Sequence, residues 1–461
     1  MIEEQPSLVF CVFWQITINN DCYANTITAN QPIANQPNMY SQTDKITSAC
    51  QLLYDASRSV RILTHLSWPL SVREQFFRCN CEKLPVVEYE KYDPSIVFEK
   101  LKIAESAFEF DAATNEWLFK IANRLETSAR MLASVGTNEF FQYSVDLYGS
   151  PTQELIDEEN TPLGLATKFD ELFAQFQSID LGENQSAQVT AADVGKAMES
   201  AAEKMFGESA PKVSVVDKLS ANALAGPRRI RIRDGANFSE NDVRQLIHHE
   251  AHIHVATSLN GLAQPHLKIL AAAHPGTTKT QEGLAVFAEF ITGSMDLDRF
   301  RRLADRVIAI HMAADGANFI EVFNYFLDRT DEPEQAFENA RRVFRGGILS
   351  GGAPFTKDVV YLDGLIRVHN FFRTAVSAGR ADCLRLLFCG KLDIEDIPIL
   401  AKFAAQGICQ PAKFLPPWAS DIRFLLCYLT YSSFLNRIDL SRVKKHYNDM
   451  LQTLPAVTCE F

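Results

Sequence analysis

Ser239-Glu-Asn-Asp242-Val-Arg-Gln-Leu-Ile-His248-His249-Glu250-Ala-His252-Ile-His254-Val-Ala-Thr-Ser-Leu-Asn260-Gly261 is the stretch on which the reading of this chain turns. Ser239 with Asp242 three residues on has the capping-box pattern, and Asn260-Gly261 has the form of a helix stop. Together they predict a helix over residues 240–259. Just upstream, Arg229-Ile230-Arg231-Ile232-Arg233 alternates with period two. That predicts a strand with its isoleucines toward a core and its arginines away, closed by Asp234-Gly235. Val213, Val215 and Val216 suggest another strand. The Arg229–Arg233 strand is a candidate edge for pairing with an extended substrate, its arginines drawing an acidic tail; a solvated strand face accounts for the same pattern.

Histidines on a helix beside a glutamate suggest a metal site. The usual zinc-protease pattern is H-E-x-x-H, and it fails here because the fourth residue after His249 is Ile253. Two readings remain: His249, Glu250 and His254 as H-E-x-x-x-H, or His248 and His252 as an i,i+4 pair. At about 100° per residue, an i,i+4 pair nearly aligns, whereas an i,i+5 pair diverges by about 140°. The i,i+5 pair converges only if the helix widens locally, as in a one-residue π-bulge. In its favour, it places Glu250 directly after a ligand, beside an attacking water. In the other reading Glu250 lies on the far side of the helix and cannot act as base. Catalytic zinc takes three protein ligands and leaves one position for water. A third ligand is at hand in Thr280-Gln281-Glu282-Gly283-Leu284-Ala285-Val286-Phe287-Ala288-Glu289, which reads as a second helix with Glu282 and Glu289 on one face.

These residues carry a resemblance. His249-Glu250…His254 followed by Gln281-Glu-Gly-Leu-Ala285 resembles the QEGLA-motif family. Its bacterial members are described as modulators of flavohemoglobin expression, and its animal members are tubulin-directed tyrosine carboxypeptidases. Thr257–Gly261, Arg342–Gly347 and Phe355–Leu362 are similar to the family as well, and the likeness spans roughly residues 45 to 420. It implies that His249, His254 and Glu282 bind zinc, that Glu250 is the general base, and that His248 and His252 stay outside the ligand set. A family of zinc dipeptidyl-peptidases uses the same i,i+5 spacing. Glu289 is a candidate to orient a ligand histidine. Lys357 and Arg345 are candidates to hold a substrate carboxylate, and Tyr361 to stabilise an oxyanion.

The rest of the chain bounds these expectations. It has 461 residues, 45 Lys+Arg against 57 Asp+Glu and a net charge of −12, with 47% hydrophobic residues. This is a core-forming composition whose acidic balance argues against nucleic acid or an anionic membrane as partner. It also points away from a microtubule surface. No run of about 18 uncharged apolar residues is present, so no membrane span is expected. The apolar run Leu8–Trp14 follows Glu3 and Glu4, and the first basic residue is Lys45, which is not the pattern of a secretory signal. The 10 cysteines leave residues 82–382 empty, which is no disulfide framework. Reduced thiols in a cytoplasmic protein are expected.

The expected protein is α+β and predominantly helical: a zincin-like catalytic domain with a small β-sheet and an N-terminal helical region. Its expected parts are a flexible leader (1–44), a helical region (45–207), the catalytic domain (208–420) and a helical tail (421–461). The expected activity is a zinc metallocarboxypeptidase acting on a peptide or protein C-terminal tail. An aminopeptidase or oligopeptidase with the same zinc, or a regulatory protein with structural zinc, are the alternatives. A cationic pocket would favour the first activity and an acidic pocket an aminopeptidase; a structural site has no use for Glu250.

Overall fold

The computed structural model describes residues 39–176, 189–217, 219, 221–236, 238–330 and 332–452. It is predominantly helical with a small three-stranded sheet, as expected from the sequence. Most of the segment read as a leader lies outside the described residues. The first described helix, Met39–Ser57, starts inside that segment and buries Ile46, Ala49, Cys50 and Leu53. The apolar spacing that predicts helices further on has the same cause. Trp117, Leu118, Ile121, Ala122 and Leu125 lie on the buried face of Ala112–Ala133, whose N-cap is Asp111. One continuous core joins these N-terminal helices to Leu284, Phe287, Val368, Phe372 and Leu429. None of the described helices is long and apolar enough to cross a membrane.

The sheet is formed by β1 (Lys212–Val216), β2 (Ala223–Ala225) and β3 (Arg229–Arg233). β3 lies in the middle, parallel to β1 and antiparallel to β2. Its alternation works as predicted: Ile230 and Ile232 are wholly buried, each worth about 1.5–3 kcal/mol. The idea of β3 as a substrate-pairing edge is corrected here, because β1 and β2 take up the hydrogen-bonding groups on both its sides. Ile230 and Ile232 pack in one cluster with Met198, Phe206, Leu246, Ala251 and Val255. The sheet is therefore the floor under the histidine-bearing helix.

That helix begins as read: Ser239 and Asp242 form a complete capping box. It does not stop at Asn260-Gly261 but runs on to Ala263. The two residues serve tertiary contacts instead. Asn260 donates to the carbonyls of Phe388 and Phe414, both at 2.8 Å, and a Cβ on Gly261 would stand 2.2 Å from the Leu270 carbonyl oxygen. Ala251 and Val255 face the sheet cluster while Ile253 enters the main core, so the helix is gripped from two sides.

Helix Pro275–Ile291 carries Glu282 and crosses helix Val360–Ser377 at two glycines. A Cβ on Gly283 would lie 2.2 Å from the Gly364 carbonyl, and one on Gly364 would lie 2.3 Å from the Lys279 carbonyl oxygen. The glycine after Glu282 is thus dictated by a backbone-to-backbone crossing. Pro275 occupies the first turn and His274 precedes it.

His274 is buried, and its Nδ1 has no hydrogen-bond partner among the described residues. Burial, helped by the nearby Lys120 charge, pushes its pKa down to about 4. A histidine that resists charging in the native state stabilises the fold fully above its unfolded value near 6.5. That contribution, about 3 kcal/mol, is lost as pH falls from there toward 4. Urea unfolding at pH 7 and pH 4.5 should therefore show a smaller acid loss in His274→Gln than in the parent. Equal losses in both proteins would assign the acid sensitivity to other groups.

Candidate active site

The helix departs from α geometry at the histidines. Ile247–Val255 is a π-helix of nine residues, far longer than the one-residue widening the spacing predicts. With i→i+5 bonding, residues five apart lie over one another. The His249 and His254 rings accordingly meet edge to face, centroids 4.8 Å apart. His248 and His252 also approach, with 3.1 Å between their Nδ1 atoms. Among the described residues, no carboxylate closes that second pair into a cluster. Among the described residues, His249, His254 and Glu282 are the one group of three donors placed to hold a metal ion, all within 4.8 Å of one another.

Glu282 Oε2 lies 3.5 Å from His249 Nε2 and 3.4 Å from His254 Nε2. Donors about 2.0–2.1 Å from a common tetrahedral centre would lie about 3.3–3.4 Å apart. Two imidazoles and a carboxylate at this spacing fit a divalent ion, with a side left open. The electrostatics agree. Burial opposes charging His249, yet the carboxylates of Glu282 and Glu289 push its pKa up to about 10. Burial, outweighing Glu282, instead holds the pKa of His254 below its usual value. Glu250, next to His249, is half-buried, and no hydrogen bond or ion pair from the described residues ties down its carboxylate.

Behind the histidine, Glu289 is fully buried and accepts a 2.6 Å hydrogen bond from His249 Nδ1. This fixes the ring so that Nε2 faces Glu282. Glu289 is itself held by Gln245 at 2.9 Å and by both Nε and a terminal nitrogen of Arg299, at 2.8 and 2.9 Å. Burial raises the Glu289 pKa, but the Arg299 charge and the His249 bond outweigh it and keep the carboxyl far below its usual range.

Cations line the other side of Glu282. Lys357 Nζ stands 3.3 Å from Glu282 Oε1 and 5.1 Å above the Tyr361 ring. Arg342 pairs with Asp358 through two hydrogen bonds, of 2.6 and 3.0 Å, and reaches the Tyr361 hydroxyl at 3.4 Å. Arg306 stacks on the Tyr361 ring, 5.0 Å from its centroid, and stands 3.9 Å from Asp358. Arg345 is buried against Phe355, its Nε without a partner. Burial and the neighbouring Arg342 lower the pKa of both Arg306 and Arg345 to about 10. One carboxylate, Asp358, answers the guanidinium groups of both Arg342 and Arg306, so the wall carries surplus positive charge inside an acidic chain.

The family described as microtubule-associated tyrosine carboxypeptidase matches residues 74–437. The chain belongs to this family. No curated protein matches the chain closely enough to add a relative. The carboxypeptidase match reaches Arg437, so it takes in part of the tail that the sequence resemblance left without a counterpart. Within the carboxypeptidase frame, Lys357 and Tyr361 come together with the donor trio. Arg345 instead stacks on Phe355, 5.5 Å from the ring centroid, and the arginine of its run that touches Tyr361 is Arg342. Arg299, Gln245 and Arg306 escaped the sequence reading because each acts across helices, with no local spacing to mark it.

The Glu289–Arg299 pair is both buried and charged, so removing one partner strands the other. Arg299→Met should destabilise the fold by about 3–5 kcal/mol, measured by urea unfolding. A change below about 1 kcal/mol would mean that Glu289 is supported without the arginine.

Proposed function

We propose that this chain is a zinc-dependent carboxypeptidase of zincin-like design that removes the C-terminal residue from a peptide or protein tail. The observation that carries this is the His249–His254–Glu282 cluster, with Lys357 and its neighbouring arginines beside it. Two imidazoles and a carboxylate suit zinc. His249, His254 and Glu282 would hold the ion, which would supply Lewis acidity to the scissile carbonyl and to an attacking water. Glu250 takes the proton of that water and returns it to the leaving amine, a role its unpaired carboxylate leaves it free to play. Glu289 holds His249 in the tautomer that presents Nε2. Tyr361, beneath Lys357, is the group offered to the developing oxyanion.

The sign of the wall separates this reading from its alternatives. A protonated N-terminus beside Arg306, Arg342 and Lys357 would be repelled, which disfavours an aminopeptidase. A structural metal would have no use for Glu250. The family is named for removing tyrosine, so peptides ending in tyrosine are the first substrates to try, an acidic tubulin-type tail among them. The chain's acidic charge does not oppose this, because the wall is locally cationic. The cytoplasmic reading rests on free thiols at Cys50, Cys383, Cys389 and Cys409, all buried.

Glu250→Gln should bind zinc as the parent does while losing about 10²–10⁴-fold in turnover of a tyrosine-terminated peptide; full activity would remove Glu250 as base. In calorimetric zinc titrations, His254→Ala should lose binding and His252→Ala should keep it. The opposite pair of results would return the ligand role to the i,i+4 histidines.

A further inference from the structure

Two helices bring the donor trio together, and packed helices can slide. Each residue of a helix rises about 1.5 Å, whereas metal–donor distances tolerate only about 0.2 Å. A slip of one residue would therefore undo the 3.4 Å spacing of His254 and Glu282. The two helices meet through buried polar side chains taken in opposite order. Gln245 and His249 meet Glu289, His254 meets Glu282, and Thr257 meets Gln281. Glu289 secures one end of this ladder. Thr257 and Gln281 stand at the other.

Thr257 is wholly buried, and Gln281 is 4% exposed. Thr257 Oγ1 lies 2.8 Å from the Gln281 side-chain amide and 2.8 Å from the Ile253 carbonyl oxygen. A single hydroxyl proton serves only one acceptor, while Gln281 Nε2 has no partner among the described residues. With the amide turned over, Nε2 donates to Thr257 and Thr257 donates on to Ile253. The atom left over is then a carbonyl oxygen, which stays unbonded more readily than an N–H. The Ile253 carbonyl sits where the widened register hands over to the α register. The Ala256 N–H is shared there between Ala251, five residues back, and Ile253, three back. Ser258 Oγ donates to the next carbonyl, that of His254, at 2.6 Å.

We propose that Thr257 and Gln281 are positioning residues whose hydrogen bond fastens the end of the π segment to the helix of Glu282 and so sets the spacing of the donor trio. This rests on the metal-binding part of the reading above. Thr257 follows the ligand His254 by three residues, and Gln281 immediately precedes the ligand Glu282. One bond therefore joins the two ligand-bearing helices with little chain between it and either donor. Together with the Glu289 network it brackets the trio from both ends, so neither helix can advance past the other without breaking a buried polar contact. A valine in place of Thr257 keeps the side chain's shape and removes the hydroxyl, leaving a buried amide without its partner.

The test separates positioning from packing. Zinc would be titrated calorimetrically into the full-length parent, Thr257→Val, Gln281→Met and the double variant, and the visible absorption of each cobalt(II)-loaded protein would report the coordination geometry. Each single substitution should weaken zinc binding about 10-fold and alter the cobalt bands. The double variant should bind no more weakly than the weaker single, because both changes remove the same bond. Thr257→Ser, which keeps the hydroxyl, should bind zinc as the parent does. Urea unfolding of the metal-free proteins reports packing separately. Variants that lose only stability, with zinc affinity and cobalt bands unchanged, overturn the proposal, as do losses that add in the double variant. If Thr257→Val does not fold, Gln281→Met and Thr257→Ser carry the same comparison. A parent chain that binds neither ion defeats the metal reading itself, and this proposal with it.

Discussion

Two imidazoles five residues apart can share one side of a helix only if the backbone between them abandons the i→i−4 ladder. The rest of this structure is organised around that constraint. A π-helix of nine residues is an unfavourable conformation for an isolated chain, so its surroundings must impose it. A capping box at Ser239 fixes the start, and Asn260 and Gly261 lock the far end to other segments. Between them, Ala251 and Val255 press on the sheet while Ile253 enters the main core. Each apolar contact stabilises the widened register, and the register in turn brings His249 over His254.

A second theme is the placement of buried charge. Carboxylates and guanidinium groups taken out of water are tolerated when each finds a fixed partner. Glu289 with Arg299, and Asp358 with Arg342, meet that condition with two hydrogen bonds per pair. Glu250, beside the donor trio, does not meet it: among the described residues no hydrogen bond or ion pair holds its carboxylate. The contrast divides the charged residues into those that hold the scaffold and those left free to meet something from outside.

Much of this was legible from the residues alone, for physical reasons that can be named. Period-two isoleucines announce a half-buried strand, and a serine three residues before an aspartate announces a helix start, because both signals are local. The need for a widened helix follows from arithmetic on 100° per residue, although the length of the widening does not, since it depends on the sheet and core that clamp it. Asn260-Gly261 misleads because a sequence cannot tell a stop signal from a pair of residues recruited by distant carbonyls. β3 reads as a possible edge until its two neighbours are placed. Arg299, Arg306 and Gln245 are invisible for a similar reason: their partners are on other helices, at separations no spacing rule covers. Arg342 is missed likewise, since its contact with the Tyr361 hydroxyl joins two helices.

The glycine crossing has a mechanical consequence. With the backbones of Gly283 and Gly364 in direct contact, the helix bearing Glu282 cannot roll or slide against the one bearing Tyr361 without steric collision. Donor carboxylate and aromatic-cationic wall therefore behave as one inflexible block. Any motion that admits a chain end must be hinged elsewhere, and the spacing of the two helices at this seam is set by main-chain dimensions, indifferent to which side chains surround it.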